Sequence, residues 1–243
     1  LHTDPFVPTE HFWCANFLEE NPFAFTGGMS TAGSLTTWFR DQFANKEMAD
    51  EVAGGDNAYA VLAAAASESP VGAKGLVTLP YFEGERTPLQ DPAAKGLWFG
   101  LNLKHTRADL YRAILEGVAY GIRHNLEEMN GEGVRPRRIL VAGGGARSPL
   151  WLQIVADVCN VELAVPDQQN GASYGDAFLA AVGTGRFSGL AQVGDWVKPQ
   201  DPVRPDPGRH ARYEPYYQIY RDLYPATKEL MHRLDRVEKN TRS

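Results

Sequence analysis

The chemistry-bearing residue pattern lies where an apolar run meets a helix. Ile139, Leu140 and Val141 are followed by Gly143-Gly144-Gly145-Ala146, and an apolar helical pattern then runs from about Ser148 to Cys159. A strand that ends in glycines and enters a helix leaves bare backbone at the carboxyl end of a sheet. Free N–H groups there favour anions, and missing side chains let a flat nucleotide lie close. A tight strand-to-helix turn is the plain alternative. A dinucleotide fingerprint wants a sixth-position glycine, and Ser148 stands there; Asp157 and Glu162 sit loosely at the distance of a ribose-binding acid, so that reading stays open. No Gly-Lys-Ser/Thr occurs, so a phosphate loop of that type is absent. Glu83 and Glu85 beside Arg86 are candidates for a general base. In a Gly/Pro loop they are expected instead to form an ordering ion pair, worth about 0–1 kcal/mol when exposed.

Other chemistries are excluded by what is missing. Cys14 and Cys159 make no CxxC, and the six histidines make no HExxH. That rules out a disulfide framework and a cysteine zinc site, and fits a reducing cytoplasm. Lys and Arg number 24 against 30 Asp and Glu, a net charge of −6, with no basic cluster. Such a chain is a poor electrostatic partner for nucleic acid or an anionic membrane. The longest apolar run, Ala58 to Ala66, is too short to span a bilayer.

The elements that must position the glycine turn can be read from periodicity. His11 to Phe17 reads as a strand, and Asn21-Pro22 and Gly27-Gly28 punctuate the stretch after it. Leu35, Trp38, Phe39 and Phe43 mark one face of a helix over about 30–43. An Ala-rich helix spans about 57–67 and stops at Ser69-Pro70. Leu76 to Pro80 is a short buried strand; a polar loop continues to Lys95, and Leu97 to Leu103 is a second apolar run. The next helix is capped by Thr106 with Asp109 three residues on, and carries Leu110, Ile114, Val118, Ile122, Leu126 and Met129 as an apolar ridge. Gly117 and Gly121 beside that ridge predict close approach of another backbone. Val161 to Val165 is a strand, Asn170-Gly171 a turn, and Ala172 to Val182 a helix. The alternation from 97 to 182 predicts an α/β fold with a largely parallel sheet. Five prolines between 195 and 215 predict an irregular connection over 195–212, followed by a helix over 213–236 that Pro225 kinks or restarts. Its stripe of Tyr213, Tyr217, Tyr220 and Tyr224 is expected in the core, and the tail from Glu238 is expected to fray. The opening Leu1-His2-Thr3-Asp4-Pro5 reads as entry into the middle of a longer protein.

Several linked segments resemble one family. Gly96-Leu97-Trp98-Phe99-Gly100-Leu101 and, after a gap, Asp109-Leu110-Tyr111-Arg112-Ala113-Ile114-Leu115-Glu116 resemble the signature of the FGGY carbohydrate kinases. Leu79-Pro80-Tyr81-Phe82-Glu83-Gly84-Glu85-Arg86-Thr87-Pro88 with Asp91-Pro92 resembles the xylulokinase-like branch. So does Gly143-Gly144-Gly145-Ala146-Arg147-Ser148-Pro149-Leu150-Trp151 with Gln153. The resemblance covers about residues 1 to 225.

The resemblance implies the C-terminal domain of a two-domain kinase over 1–243. That domain would be α/β and ribonuclease-H-like, of the actin/Hsp70/sugar kinase superfamily, with a mixed sheet flanked by helices and its first strands lacking. It implies phosphoryl transfer from ATP with Mg²⁺ to a sugar or polyol such as xylulose, which the missing N-terminal domain mainly holds; homodimers are common among relatives. The implied ATP-binding residues are Gly33 and Thr37 at the helix entry, where some members have Gln at the position of Thr37. Gly144, Gly145 and Ala146 would support adenine and ribose, with Pro149 where some members have Asn. The family's catalytic Asp would lie upstream, and Asp4 matches a loop and is no replacement. The alternative is a non-catalytic actin- or Hsp70-like nucleotide-binding module; a dehydrogenase half or a ligand-free interaction domain are the remaining ones.

Overall fold

A computed structural model describes residues 2–3, 6–18, 23–168, 171–198 and 200–241. Asp4, the Asn21-Pro22 punctuation, Asn170 and Pro199 lie outside the described residues. Strands β1 (His2–Thr3), β2 (Trp13–Asn16) and β3 (Phe23–Thr26) form an antiparallel sheet in the order β1-β3-β2. Helices α1 (Gly33–Phe43), α2 (Asn45–Val52) and α3 (Ala58–Ser67) come next. Then come β4 (Val77–Leu79), β5 (Leu97–Phe99) and the long α4 (Arg107–Gly131). β6 (Ile139–Leu140) leads through a 3₁₀ turn, Gly144–Arg147, into α5 (Pro149–Cys159) and β7 (Leu163–Ala164). The chain ends in α6 (Ala172–Gly183), the short α7 (Val193–Trp196) and α8 (Pro207–Thr241).

Helix α4 is the axis of the core. Thr106 precedes it, and the Asp109 carboxylate accepts both the Thr106 N–H and its hydroxyl at 2.8 Å. Ser69 and Lys74 also donate to Asp109. Burial alone would raise its pKa, but these donors outweigh it and hold the carboxyl well below the ordinary range. Residues 111–121 are buried all round, so the helix carries a belt of buried residues rather than a single apolar ridge. Gly117 meets the expected backbone: a Cβ there would stand 2.6 Å from the Thr78 carbonyl on β4. At Gly121 the neighbour is instead the Met29 side chain.

The largely parallel sheet expected over 97–182 is not what forms. β5 pairs antiparallel with β4, Val77 opposite Phe99 and Leu79 opposite Leu97. Only β6 and β7 run parallel, through Ile139–Leu163 and Leu140–Ala164. The described strands thus make three small sheets. Strand–helix alternation fixes the order of elements along the chain but not which strands pair. Here residues 80–96 fold back, closed by reciprocal backbone bonds between Glu85 and Asp91, and return β5 to β4.

The last helix also differs from expectation. It begins at Pro207 and runs to Thr241, so the expected 195–212 connection is shorter and the expected 213–236 helix longer at both ends. Asp206 caps it, its Oδ1 accepting the Arg209 N–H at 2.8 Å, and Pro207 occupies a first-turn position where a missing N–H costs nothing. Pro225 does not end it, and Pro215 also lies within it; both sit at exposed positions, where a freed carbonyl can reach water. The tyrosine stripe is core as expected: Tyr213, Tyr217 and Tyr220 are buried, and Tyr220 meets the Tyr81 hydroxyl at 2.8 Å. Tyr213 donates to Glu116, which pairs with Arg112 at 2.7 Å. Helix α2 was not foreseen. None of its residues is buried, so it carries no apolar period; Glu47 instead pairs with Arg107.

Candidate functional site

The glycine turn is built by backbone geometry. Gly143 has φ +91°, a left-handed value that favours glycine, and turns the chain out of β6. Gly145 lies under Trp151: a Cβ there would be 2.8 Å from the indole ring. Gly144 has no atom within 4 Å of where its Cβ would be, so its backbone faces open space. Ser148 then caps α5, its hydroxyl oxygen accepting the Trp151 N–H at 3.3 Å, and Pro149 opens the helix.

Beside this turn lies a cleft of about 820 Å³. Its walls are the first turns of α1, one face of α3, Tyr111 and Leu115 of α4, and residues 144–145 and 147–151. Five of the six residues expected to bind ATP line it: Gly33, Thr37, Gly144, Gly145 and Pro149. Ala146 does not. It is 4 % exposed, and its N–H is spent on the Gly143 carbonyl, so it shapes the turn from within. Gly33, like Gly144, has nothing within 4 Å of an added Cβ. Thr37 donates to the Gly33 carbonyl at 3.2 Å and bonds the Tyr59 hydroxyl at 2.9 Å. The volume falls within the range of small-molecule sites. Among the described residues no acid lines the cleft and Arg147 is its one charged lining residue, which suits an anionic ligand. The buried Trp151 indole nitrogen is left without a hydrogen-bond partner.

Sequence reasoning missed the α3 wall. Tyr59, Ala60, Ala63, Ala64 and Ser67 all line the cleft. The signal was present as small residues at spacings of three and four in the Ala-rich run, which leave a flat helix face. Tyr59 is fixed on that face, with the Arg40 guanidinium 4.8 Å from its ring centre.

The acids weighed for chemistry are used otherwise. Asp157 is buried; it pairs with Arg209 at 2.6 Å and accepts from Gln153 and the Asp206 N–H, fastening α8 to α5. Glu162 pairs with Arg204. Asp157 is committed to that clasp and Glu162 to an exposed pair, which leaves a dehydrogenase half resting on the Gly143-x-Gly145 spacing alone. The ion pair expected in the 82–88 loop is also corrected. Glu85 is 4 % exposed and accepts the Ser30 and Arg86 N–H groups, whereas the Arg86 guanidinium donates to the Met29 carbonyl. The loop turns the carboxyl inward and the guanidinium outward, so the two side chains do not pair. Glu83 is exposed. Among the described residues no three His, Cys, Asp or Glu side chains converge on a metal position, and both cysteines are free. Among the described residues no helix is long and apolar enough to cross a membrane.

The model of the FGGY family of carbohydrate kinases, C-terminal domain, matches residues 1–184. The chain belongs to that family. FGGY relatives include a xylulose kinase of Staphylococcus epidermidis, 34% identical over 200 residues, which cover 82% of this chain and 38% of the relative. A gluconokinase of Bacillus licheniformis is 34% identical over 212 residues, 86% of this chain and 39% of that protein. The crystal structure of xylulose kinase from Rhodospirillum rubrum superposes with a TM-score of 0.82 at 32% identity, covering 96% of this chain and 45% of that one. The chain thus spans less than half the length of these FGGY kinases.

Proposed function

We propose that this chain is the nucleotide-holding part of an ATP-dependent kinase acting on a sugar or polyol, with a pentulose such as xylulose the preferred acceptor. The observation that carries this is the acid-free cleft in which Gly33, Thr37, Gly144, Gly145 and Pro149 converge. The bare backbone at Gly144 and Gly145 takes the flat face of adenine and ribose, and the start of α1 at Gly33 faces the phosphates. Thr37, tied to Tyr59, and Pro149 bound the base laterally, and Ala146 holds the turn in shape. Xylulose is preferred because both xylulose kinase relatives resemble this chain over most of its length. Gluconate stays as the rival acceptor because a gluconokinase is equally similar.

Phosphoryl transfer needs an aligned hydroxyl, a base for its proton, and stabilised charge on the transferred group. This chain would supply nucleotide alignment and one wall of the cleft, excluding water on that side. The proton acceptor is proposed to be an Asp in the part of the protein that precedes this chain, and the acceptor sugar to rest mainly there too. Mg²⁺ would travel with the ATP phosphates, and no described residue is assigned to it. We place the protein in the cytoplasm. The β6–β7 pair packs on α5 and gains a bridge to Val203 beside β7. Leu140 on β6 is 48 % exposed and lines two apolar hollows of about 720 and 550 Å³. A further strand beside β6 would extend the pair toward a ribonuclease-H-like sheet.

Calorimetric titration with ATP and ADP tests the cleft, and a coupled assay of ADP release with xylulose or gluconate tests the division of labour. The chain alone should bind nucleotide and show no sugar-dependent turnover. Absence of nucleotide binding refutes the first part, and robust turnover the second.

A further inference from the structure

The segment Gly28–Thr31 leads directly into α1, whose first turn forms a wall of the cleft. Residues 80–87 grip it from one side. The Gly28 N–H donates to the Thr87 hydroxyl at 2.8 Å and the Thr87 N–H returns to the Gly28 carbonyl at 3.2 Å. Arg86 donates to the Met29 carbonyl at 2.9 Å, and the Thr31 hydroxyl donates to the Pro80 carbonyl. The Ser30 N–H donates to Glu85 Oε1 at 2.8 Å. Thr87 is in turn fixed to α4, donating to the Asn125 side chain at 2.6 Å. Glu85 is the one carboxyl in this grip, and it is buried. Ser30 is half-buried while its acceptor Glu85 is buried, so opening exchanges an ordered bond at a buried carboxyl for a looser one to water.

We propose that Glu85 is a positioning residue for the cleft: its carboxyl fixes the Met29–Ala32 entry to α1 and so sets where Gly33 and Thr37 stand against the glycine turn. The inference rests on the nucleotide reading of that cleft. The charged and titratable groups facing Glu85 are Arg86 on its own loop, Tyr81 before it and Tyr220 on α8. Burial pushes the carboxyl up to about 7, against the pull of the Ser30 and Arg86 N–H groups and the Arg86 charge. Opening the grip would return the group to water and to ordinary acidity. Loss of the proton therefore favours opening: the grip is firmest below the ordinary carboxylate range and weakens as pH rises from there to about 7. A glutamine at this position presents a carbonyl oxygen to the same two N–H groups with no proton to lose.

The test compares the whole chain with Glu85→Gln and Glu85→Ala. Hydrogen exchange at the Ser30 amide is read without nucleotide, and ATP affinity by calorimetry, each from about pH 4.5 to above pH 7. Glu85→Ala should lower Ser30 protection about three- to tenfold, the worth of one hydrogen bond to a neutral acceptor, and raise the ATP Kd comparably. Glu85→Gln should keep both near wild type and remove the weakening of Ser30 protection with rising pH. Wild-type protection in Glu85→Ala, or lost protection with unchanged Kd, overturns the inference. If Glu85→Ala does not fold, a Glu85→Gln pH profile identical to wild type overturns it. A wild-type chain that binds no ATP refutes the nucleotide reading and this inference with it. Binding indifferent to residue 85 refutes this inference alone.

Discussion

Gly144 and Gly145 are neighbours with opposite surroundings, and that contrast yields a sharp prediction. At Gly144 a new side chain meets nothing within 4 Å, and the residue is not in the left-handed region. Gly144→Leu should therefore fold as the parent does, while it adds bulk at a position that lines the cleft of about 820 Å³ where the nucleotide is proposed to lie. A leucine in the plane of the base or ribose removes close backbone contact, and a tenfold weaker ATP Kd corresponds to only about 1.4 kcal/mol. A loss of at least that size is expected. At Gly145 even a methyl group would sit 2.8 Å from the Trp151 ring, itself packed against the core. Gly145→Ala should cost about 1–3 kcal/mol through overpacking. At roughly 2–4 °C per kcal/mol for a chain of this size, the melting temperature drops by several degrees. Calorimetry with ATP and thermal unfolding of both variants separate the two effects. Gly144→Leu with parental ATP affinity refutes the placement of the ligand. Gly144→Leu as destabilised as Gly145→Ala refutes the reasoning about open space.

Three further outcomes concern the core. Arg112→Met leaves Glu116 buried without its cation and should lower the urea-unfolding free energy by about 3–5 kcal/mol, whereas a change under 1 kcal/mol contradicts the importance of the pair. His124 is 8 % exposed, and burial, helped by the Arg221 charge, lowers its pKa from 6.5 to about 4. The unfolded state therefore takes up the proton first as pH falls. Stability present above pH 6.5 should be lost between there and about pH 4, by up to roughly 3 kcal/mol. Glu85, raised to about 7, acts oppositely between its ordinary value and that pH. The parent-minus-His124→Asn difference in unfolding free energy is thus the quantity to measure, and a pH-independent difference contradicts the assignment. Gly117→Ala drives a methyl group to 2.6 Å from the Thr78 carbonyl, and should cost about 1–3 kcal/mol in the same unfolding assay.

Local signals carried most of what was legible in the sequence. The Thr106–Asp109 start of α4, the strand–glycine–helix turn and the tyrosine stripe each depend on residues a few positions apart, and each lies where the pattern puts it. Five of six proposed nucleotide residues meet in one cleft; the glycine turn is legible from the strand–glycine–helix pattern, whereas Gly33, Thr37 and Pro149 enter only through the family resemblance. Strand pairing was not legible, since β4 and β5 are brought together by a loop whose closure involves Glu85 and Asp91 backbone atoms, not side-chain type. The start of α8 was hidden because Asp206-Pro207, a cap and first-turn pair, looks like one more break in a Pro-rich stretch. Glu85 was misread for a related reason: a carboxylate beside an arginine suggests a surface pair, and only the fold shows one pointing inward and the other out.

Helix α8 lies wholly beyond the residue at which the family match stops, yet it places Tyr213, Tyr217, Tyr220, Leu223 and Met231 in the main core. A protein trimmed to the matched region would leave α4 and α5 with a long greasy trench and strand the Arg112–Glu116 pair without its phenol partner. Anyone cutting this module for expression, fusion or splitting into reporter halves should keep the chain through Met231 at least, because the clasp lies outside the recognisable part.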